Sequence, residues 1–272
     1  MIVAAFRTLI HRDTMAGEAA PLSSLDYAGL KPAATAIFLD FDGTLADLAE
    51  RPDEVSVPAA TRAALERLVE ATQGALAIVT GRPIDDIDHY LAPLRLPVAG
   101  VHGLERRTAA GARMTAAVDE EKFASVRGRL QAFVDAHPGL LLETKRGSMA
   151  LHYRQRPELG DASIAAVHEA VNGSKGFHLL HGKMVIEVKG GKATKADALA
   201  AFMQEEPFCG RVPVFAGDDV TDEDAFRRIA VIKGISIKIG GGSTAALFRT
   251  EGTASFREWL GQLADSFDSR DY

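Results

Sequence analysis

A chain of 272 residues, 47% hydrophobic and 25% charged, has the makeup of a soluble globular protein with room for one large or two ordinary domains. A formal charge of −6 gives no broad attraction to nucleic acid or to anionic membrane, and no apolar run reaches membrane-spanning length. The lone Cys209 excludes an intrachain disulfide, agrees with a reducing cytoplasm, and reads as a buried or idle thiol.

Residues 1–32 lack the charge order, long apolar core and cleavage site of a secretory signal. They are expected to form a weakly ordered lead-in without chemistry, with Met15 as a possible true start. The run Ile37-Phe38-Leu39-Asp40-Phe41-Asp42-Gly43-Thr44-Leu45 then reads as a buried parallel strand that ends at a site. A loop with Pro52 and Pro58 leads to a helix over 59–72, whose Ala64, Leu65, Leu68 and Val69 share a face. A strand over 75–79 runs into Thr80-Gly81-Arg82-Pro83, a helix covers 84–91, and a short strand over 97–101 precedes His102-Gly103-Leu104-Glu105-Arg106. Strand, helix, strand, helix, strand predicts a parallel sheet with helices on both faces.

The pattern then changes. A helix over 119–136, short strands over 140–145 and 148–154, a helix over 161–172, and strands over 177–180 and 183–189 describe a small α+β unit with an antiparallel sheet. The parallel pattern resumes with a helix over 193–205 and a strand over 212–216 that ends in Gly217-Asp218-Asp219-Val220-Thr221-Asp222-Glu223. A short helix over 224–229 and a last strand over 235–239, capped by Gly240-Gly241-Gly242, complete it. The expected organisation is an α/β core of residues 33–114 and 190–272, interrupted by an α+β insert of residues 115–189.

In an open α/β sheet, ligands bind at the carboxyl ends of the strands. Those ends carry Asp40 and Asp42, then Thr80, then Asp218, Asp219 and Asp222, while Lys195 opens the helix after the insert. Carboxylates gathered there raise one another's pKa, a cost that a hard cation such as Mg²⁺ relieves. The set suits metal-assisted phosphoryl transfer. Asp40 is placed as nucleophile and Asp42 as general acid and base. Thr80 and Lys195 would hold the transferring phosphoryl group, and Asp218 would complete the metal shell with Asp40 and the Asp42 carbonyl. Asp222 would hold a metal-bound water or orient Lys195. The run 190–195 lacks the order of a phosphate loop, and the acidic run at 217–223 lacks calcium-loop spacing.

These motifs, in this order, resemble the haloacid dehalogenase superfamily, and within it the trehalose-6-phosphate phosphatase family, from about residue 36 to 260. Val101-His102-Gly103-x-Glu105-Arg106, Ala150-Leu151-His152-Tyr153-Arg154 and Gly182-Lys183-Met184-Val185-Ile186-Glu187 carry the closer likeness. The resemblance implies a doubly wound core with an inserted cap, the roles given above for Asp40, Asp42, Thr80, Lys195 and Asp218, and Mg²⁺ as cofactor, with Asp219 and Asp222 also among the metal residues. It implies substrate-binding positions at Phe41, Gly81, Arg82, His102, Glu143, Lys145, Arg154 and Glu187, the last four in the cap. By their chemistry His102 and His152 read as supporting rather than catalytic. The chain departs from the family at Lys195-Ala196, where Lys-Gly is usual, and at Lys189-Gly190-Gly191-Lys192, where a proline is common.

The expected protein is a cytoplasmic, monomeric, Mg²⁺-dependent phosphatase acting on trehalose 6-phosphate, coupled in function to a trehalose-6-phosphate synthase, with no nucleic-acid or membrane partner. Rival readings are a phosphatase for another sugar phosphate (sucrose phosphate, mannosyl phosphoglycerate), a receiver-type signalling domain and a catalytically dead regulator. The second acid at Asp42 and the insert argue against a receiver, and no broken motif supports a dead relative.

Overall fold

A computed structural model describes residues 19–48 and 55–269, apart from 118, 146, 175, 183 and 192. The Met15 start, the Pro52 part of the loop, and Lys183 and Lys192 therefore lie outside the described residues. Two compact units emerge. One holds the residues up to Arg113 and from Lys195 onward, and the other spans Met114–Thr194.

The first unit contains β1 (Ala20–Pro21), β2 (Thr35–Leu39), α1 (Ala59–Ala71), β3 (Leu76–Val79), α2 (Ile84–Tyr90), β4 (Val98–Gly100) and β5 (Glu105–Arg107). A short strand, β6 (Arg113–Thr115), lies at the boundary. The second unit contains α3 (Glu120–Asp135), β7 (Leu141–Lys145), β8 (Ser148–His152), α4 (Gly160–Val171), β9 (Phe177–Gly182) and β10 (Val185–Gly190). The first unit resumes with α5 (Lys195–Phe202), β11 (Val212–Gly217), α6 (Glu223–Val231), β12 (Ile235–Ile239), β13 (Phe248–Thr250) and α7 (Thr253–Asp268).

Strands of the first unit lie in the order β1-β13-β12-β11-β2-β3-β4-β5. Every neighbouring pair is parallel except β4 and β5. Such a sheet is covered on both faces, which is why its central strands are largely apolar. Alternate residues of β2 show the two layers. Ile37 and Leu39 join a cluster with Leu65 and Leu68 of α1, Ile84 and Ile87 of α2, and Phe256, Leu260 and Phe267 of α7. Ala36 and Phe38 join another with Leu199 and Phe202 of α5 and Phe226 and Ile229 of α6. Because the pairs around β2 are parallel, β2, β3 and β11 deliver Asp40, Thr80 and Asp218 to one edge.

In the second unit the sheet order is β7-β8-β10-β9, all antiparallel. One face packs Met149, Leu151, Ile186 and Val188 against Phe123, Val126 and Leu130 of α3 and Val167 and Ala170 of α4. Residues 190–194, expected with the core, group instead with this unit. The reason is local bonding: Gly190 N–H donates to the Gly147 carbonyl, Gly191 N–H to Gly176, and the Lys189 ammonium to Ala193.

Three further expectations are corrected. Residues 20–32, read as a weakly ordered lead-in, are packed: β1 pairs with β13, and Leu22, Leu25 and Leu30 are buried in the core. The strand over 235–239 is not the last, since β13 pairs with it in parallel. The helix expected over 193–205 is limited to α5, after which the chain turns to bury Phe208 beside Phe38.

Candidate active site

Asp40 follows β2, and its N–H donates to the Ala216 carbonyl, tying it to the neighbouring strand at 2.9 Å. Buried Lys195, the first residue of α5, donates to Asp40 Oδ1 at 2.6 Å and to Asp222 Oδ1 at 2.7 Å. Carboxylate oxygens of Asp40, Asp218 and Asp222 lie within 4.8 Å of one another. Burial is the main reason that Asp40 is held well above the ordinary aspartate range, with Asp222 and Asp218 adding to it and Lys195 opposing. Burial, then Asp222, pushes Asp218 up to about 7. Burial alone would lower Lys195, but Asp222 and Asp40 outweigh it and hold the ammonium well above its ordinary range. Three crowded acids sharing one ammonium are a donor set that suits a hard divalent cation. The backbone is shaped around them. A Cβ at Gly43, whose φ is +71°, would collide with the Asp218 carboxylate, and one at Gly217 would collide with that of Asp222.

Asp42 stands apart from this cluster. Its carboxylate accepts two parallel bonds from Arg82, Nε to Oδ2 and Nη2 to Oδ1, each 2.7 Å. The guanidinium lies over the rings of Tyr90 and Phe41, at 5.1 and 5.6 Å from their centroids. Phe41 itself is fully buried, so its side chain belongs to the core. Thr80 is buried, and its hydroxyl accepts from the Arg82 N–H at 3.1 Å. The 101–105 loop supports this turn. His102 N–H donates to the Thr80 carbonyl, Val101 N–H to that of Arg82, and Ile84 N–H to Glu105 Oε1. A Cβ on Gly81 would come within 2.6 Å of His102 Nε2, so glycine is what lets the two loops close up.

Asp219 is exposed and caps the short helical turn at Val220–Asp222, accepting from the Val220 N–H at 2.6 Å. It is not brought into the carboxylate cluster, whereas Asp222 is fully buried there. In the second unit, Glu143 accepts from Lys145 on one oxygen and lies beside His152 on the other, both at 3.2 Å. Glu187 shares that sheet face by register, and Arg154 is exposed just after β8.

The chain matches the trehalose-phosphatase family model over residues 38–253. It belongs to the trehalose-phosphatase family. It is 38% identical to the trehalose-6-phosphate phosphatase of Escherichia coli (strain K12), covering 86% of this chain and 88% of that one. A probable trehalose-phosphate phosphatase of Sinorhizobium fredii is 43% identical, over 75% of this chain and 77% of its own. The solved C-terminal domain of C. albicans trehalose-6-phosphate phosphatase shares the fold, with a TM-score of 0.78 at 19% identity, covering 88% of this chain and 94% of that one. A Bacteroides thetaiotaomicron phosphatase of the haloalkanoate (HAD) superfamily also shares it, with a TM-score of 0.59 at 16% identity, covering 90% and 99%. The fold is therefore HAD-like, a doubly wound α/β core with a separate antiparallel α+β insert. The motifs named above account for the acid cluster but not for Lys238, which stands outside all of them. Lys238 is buried in β12, and its ammonium donates to the Asp218 carbonyl, fixing the peptide that carries a clustered acid. A single lysine in Ile-Ser-Ile-Lys-Ile was the available signal.

Proposed function

We propose that this protein is a Mg²⁺-dependent phosphatase that hydrolyses trehalose 6-phosphate to trehalose and phosphate through a phosphoryl group carried on Asp40. Family membership supports the substrate. The observation that carries the chemistry is the buried Asp40–Lys195–Asp222 arrangement, with Asp218 beside it, at the carboxyl edge of a parallel sheet. Asp40 attacks phosphorus, and the bond from phosphorus to the sugar oxygen breaks. Asp42 gives that oxygen a proton and later takes one from the water that attacks the phosphorylated Asp40. Lys195, fixed between two carboxylates, neutralises charge on the transferring group, and Thr80 orients it. Asp40, Asp218 and Asp222, with the Asp42 carbonyl, are the residues that would hold Mg²⁺, which supplies charge neutralisation to the phosphoryl oxygens when bound. Asp219, by its cap role, is left to shape the loop. In the insert, Glu143, Lys145, Arg154 and Glu187 recognise sugar hydroxyls. The exposed thiol of Cys209 suits a reducing cytoplasm.

Phosphate release from a panel of sugar phosphates, with Mg²⁺ and after chelation, tests the reading. Trehalose 6-phosphate should be the best substrate, and chelation should stop turnover. Asp40→Asn should abolish turnover with an unchanged circular dichroism spectrum. A preference for another sugar phosphate, or appreciable activity in that variant, would overturn the assignment.

A further inference from the structure

On one face of the insert's sheet, Glu143, Ala150 and Glu187 stand side by side on β7, β8 and β10. Paired residues of neighbouring strands project to the same side, and the opposite side is filled by the apolar cluster. Two strand spacings, about 10 Å, separate the backbones that carry the two acids. Ala150 between them contributes only a methyl. The result is a low floor flanked by two carboxylates, a surface that offers acceptors to sugar hydroxyls.

One carboxylate is held in place. His152, two residues along β8 from Ala150, sets its Nε2 3.2 Å from Glu143 Oε2, while Lys145 Nζ lies 3.2 Å from Oε1. All three side chains are a quarter to a third exposed, so they line the face without being sealed in it. We infer that His152 is a positioning residue for sugar recognition, fixing with Lys145 the carboxylate of Glu143 beside the low floor at Ala150. This rests on the reading of Glu143 as a sugar-hydroxyl acceptor. The hydrogen bond from His152, then Lys145, holds Glu143 at about 2 against the opposing effect of burial, so it stays an ionised acceptor.

Steady-state kcat and KM should be measured separately for trehalose 6-phosphate and p-nitrophenyl phosphate, in Mg²⁺ buffer, on the full chain. His152→Ala should raise the KM for the sugar phosphate roughly tenfold, the loss of about one charge-assisted hydrogen bond, and that for the aryl phosphate by a much smaller factor. His152→Gln, which keeps a side-chain N–H donor, should recover most of the loss and gives a readout if the alanine variant is poorly folded. Ala150→Leu should raise the sugar-phosphate KM with the same selectivity by filling the floor. Equal losses on both substrates, or no loss in the His152 variants while Glu143→Gln raises the sugar-phosphate KM, would overturn the inference alone. No effect of Glu143→Gln either would bring down the underlying reading of the insert.

Discussion

In the proposed mechanism Asp42 has to deliver a proton, yet it sits in a two-point ion pair with Arg82. Both of its oxygens are occupied, and such a fork fixes the orientation of the carboxylate. The guanidinium is itself anchored over Phe41 and Tyr90, with its side chain 10% exposed, so the pair is a fixed feature of the turn. Arg82 thus sets where Asp42 rests and from which direction it meets a leaving oxygen. An alkoxide leaving group depends on proton delivery far more than a nitrophenolate does. Arg82→Leu should therefore lower kcat/KM for trehalose 6-phosphate more than for p-nitrophenyl phosphate, within the roughly 10²–10⁴-fold that acid–base catalysis supplies. Arg82→Lys should restore only part, since an ammonium cannot make two parallel bonds. A uniform fall on both substrates would reduce Arg82 to a packing role. Glu143 allows a second test at this scale. Its titration is lowered from the ordinary 4.5 to about 2, chiefly by His152, so its ionised form stabilises the folded insert. That contribution is fully present above about pH 4.5 and is lost as pH falls through about 2. The thermal midpoint of wild type should exceed that of Glu143→Gln near pH 6, and the gap should close toward pH 2. A gap independent of pH would contradict it.

The helix α7 shows what an element adds that no motif announces. Phe256, Trp259, Leu260, Leu263, Ala264 and Phe267 recur at helical spacing and are all buried on the layer that also contains Leu65 and Leu68 of α1. Its first residue reaches the active-site turn, where Thr253 Oγ1 donates to the Gly43 carbonyl at 3.1 Å. Leu260→Ala should lower unfolding free energy by about 2–5 kcal/mol, read as a lower urea midpoint at unchanged slope. A cost under about 0.5 kcal/mol, typical of a surface site, would mean that α7 is not part of the core. The apolar spacing of this helix is as regular as that of α1, but it lies beyond the last polar motif and the glycines 240–242. By contrast, β2, β3, β11 and β12 were legible to within a residue or two, because a strand buried on both faces is apolar at most positions. Strands β1 and β13 span two and three residues, too few for any periodicity, and exist through pairing with a neighbour. The acid cluster was legible because each acid closes an apolar strand or opens the turn after it. Arg82's partner was not, since 40 residues separate it from Asp42 and only the packed turn brings them together.

At the scale of the molecule, the proposed function puts chemistry and recognition on separately packed parts of one chain. Every clustered acid and Lys195 belong to the first unit, while Glu143, His152 and Glu187 belong to the second, and the apolar clusters of the two share no residue. A cation that binds the native acid cluster, and not the unfolded chain, stabilises what holds that cluster together by mass action, about 2.7 kcal/mol at a hundredfold excess over Kd. Local opening elsewhere has no share in that gain. Hydrogen exchange in saturating Mg²⁺ should therefore slow the amides of β2, β11 and α5 and leave those of α3, α4 and β7 to β10 nearly unchanged. Asp218→Asn should remove most of the effect by taking one charge from the cluster. Equal slowing across both units would show that the insert does not open independently of the core. No slowing in either would place the cation elsewhere.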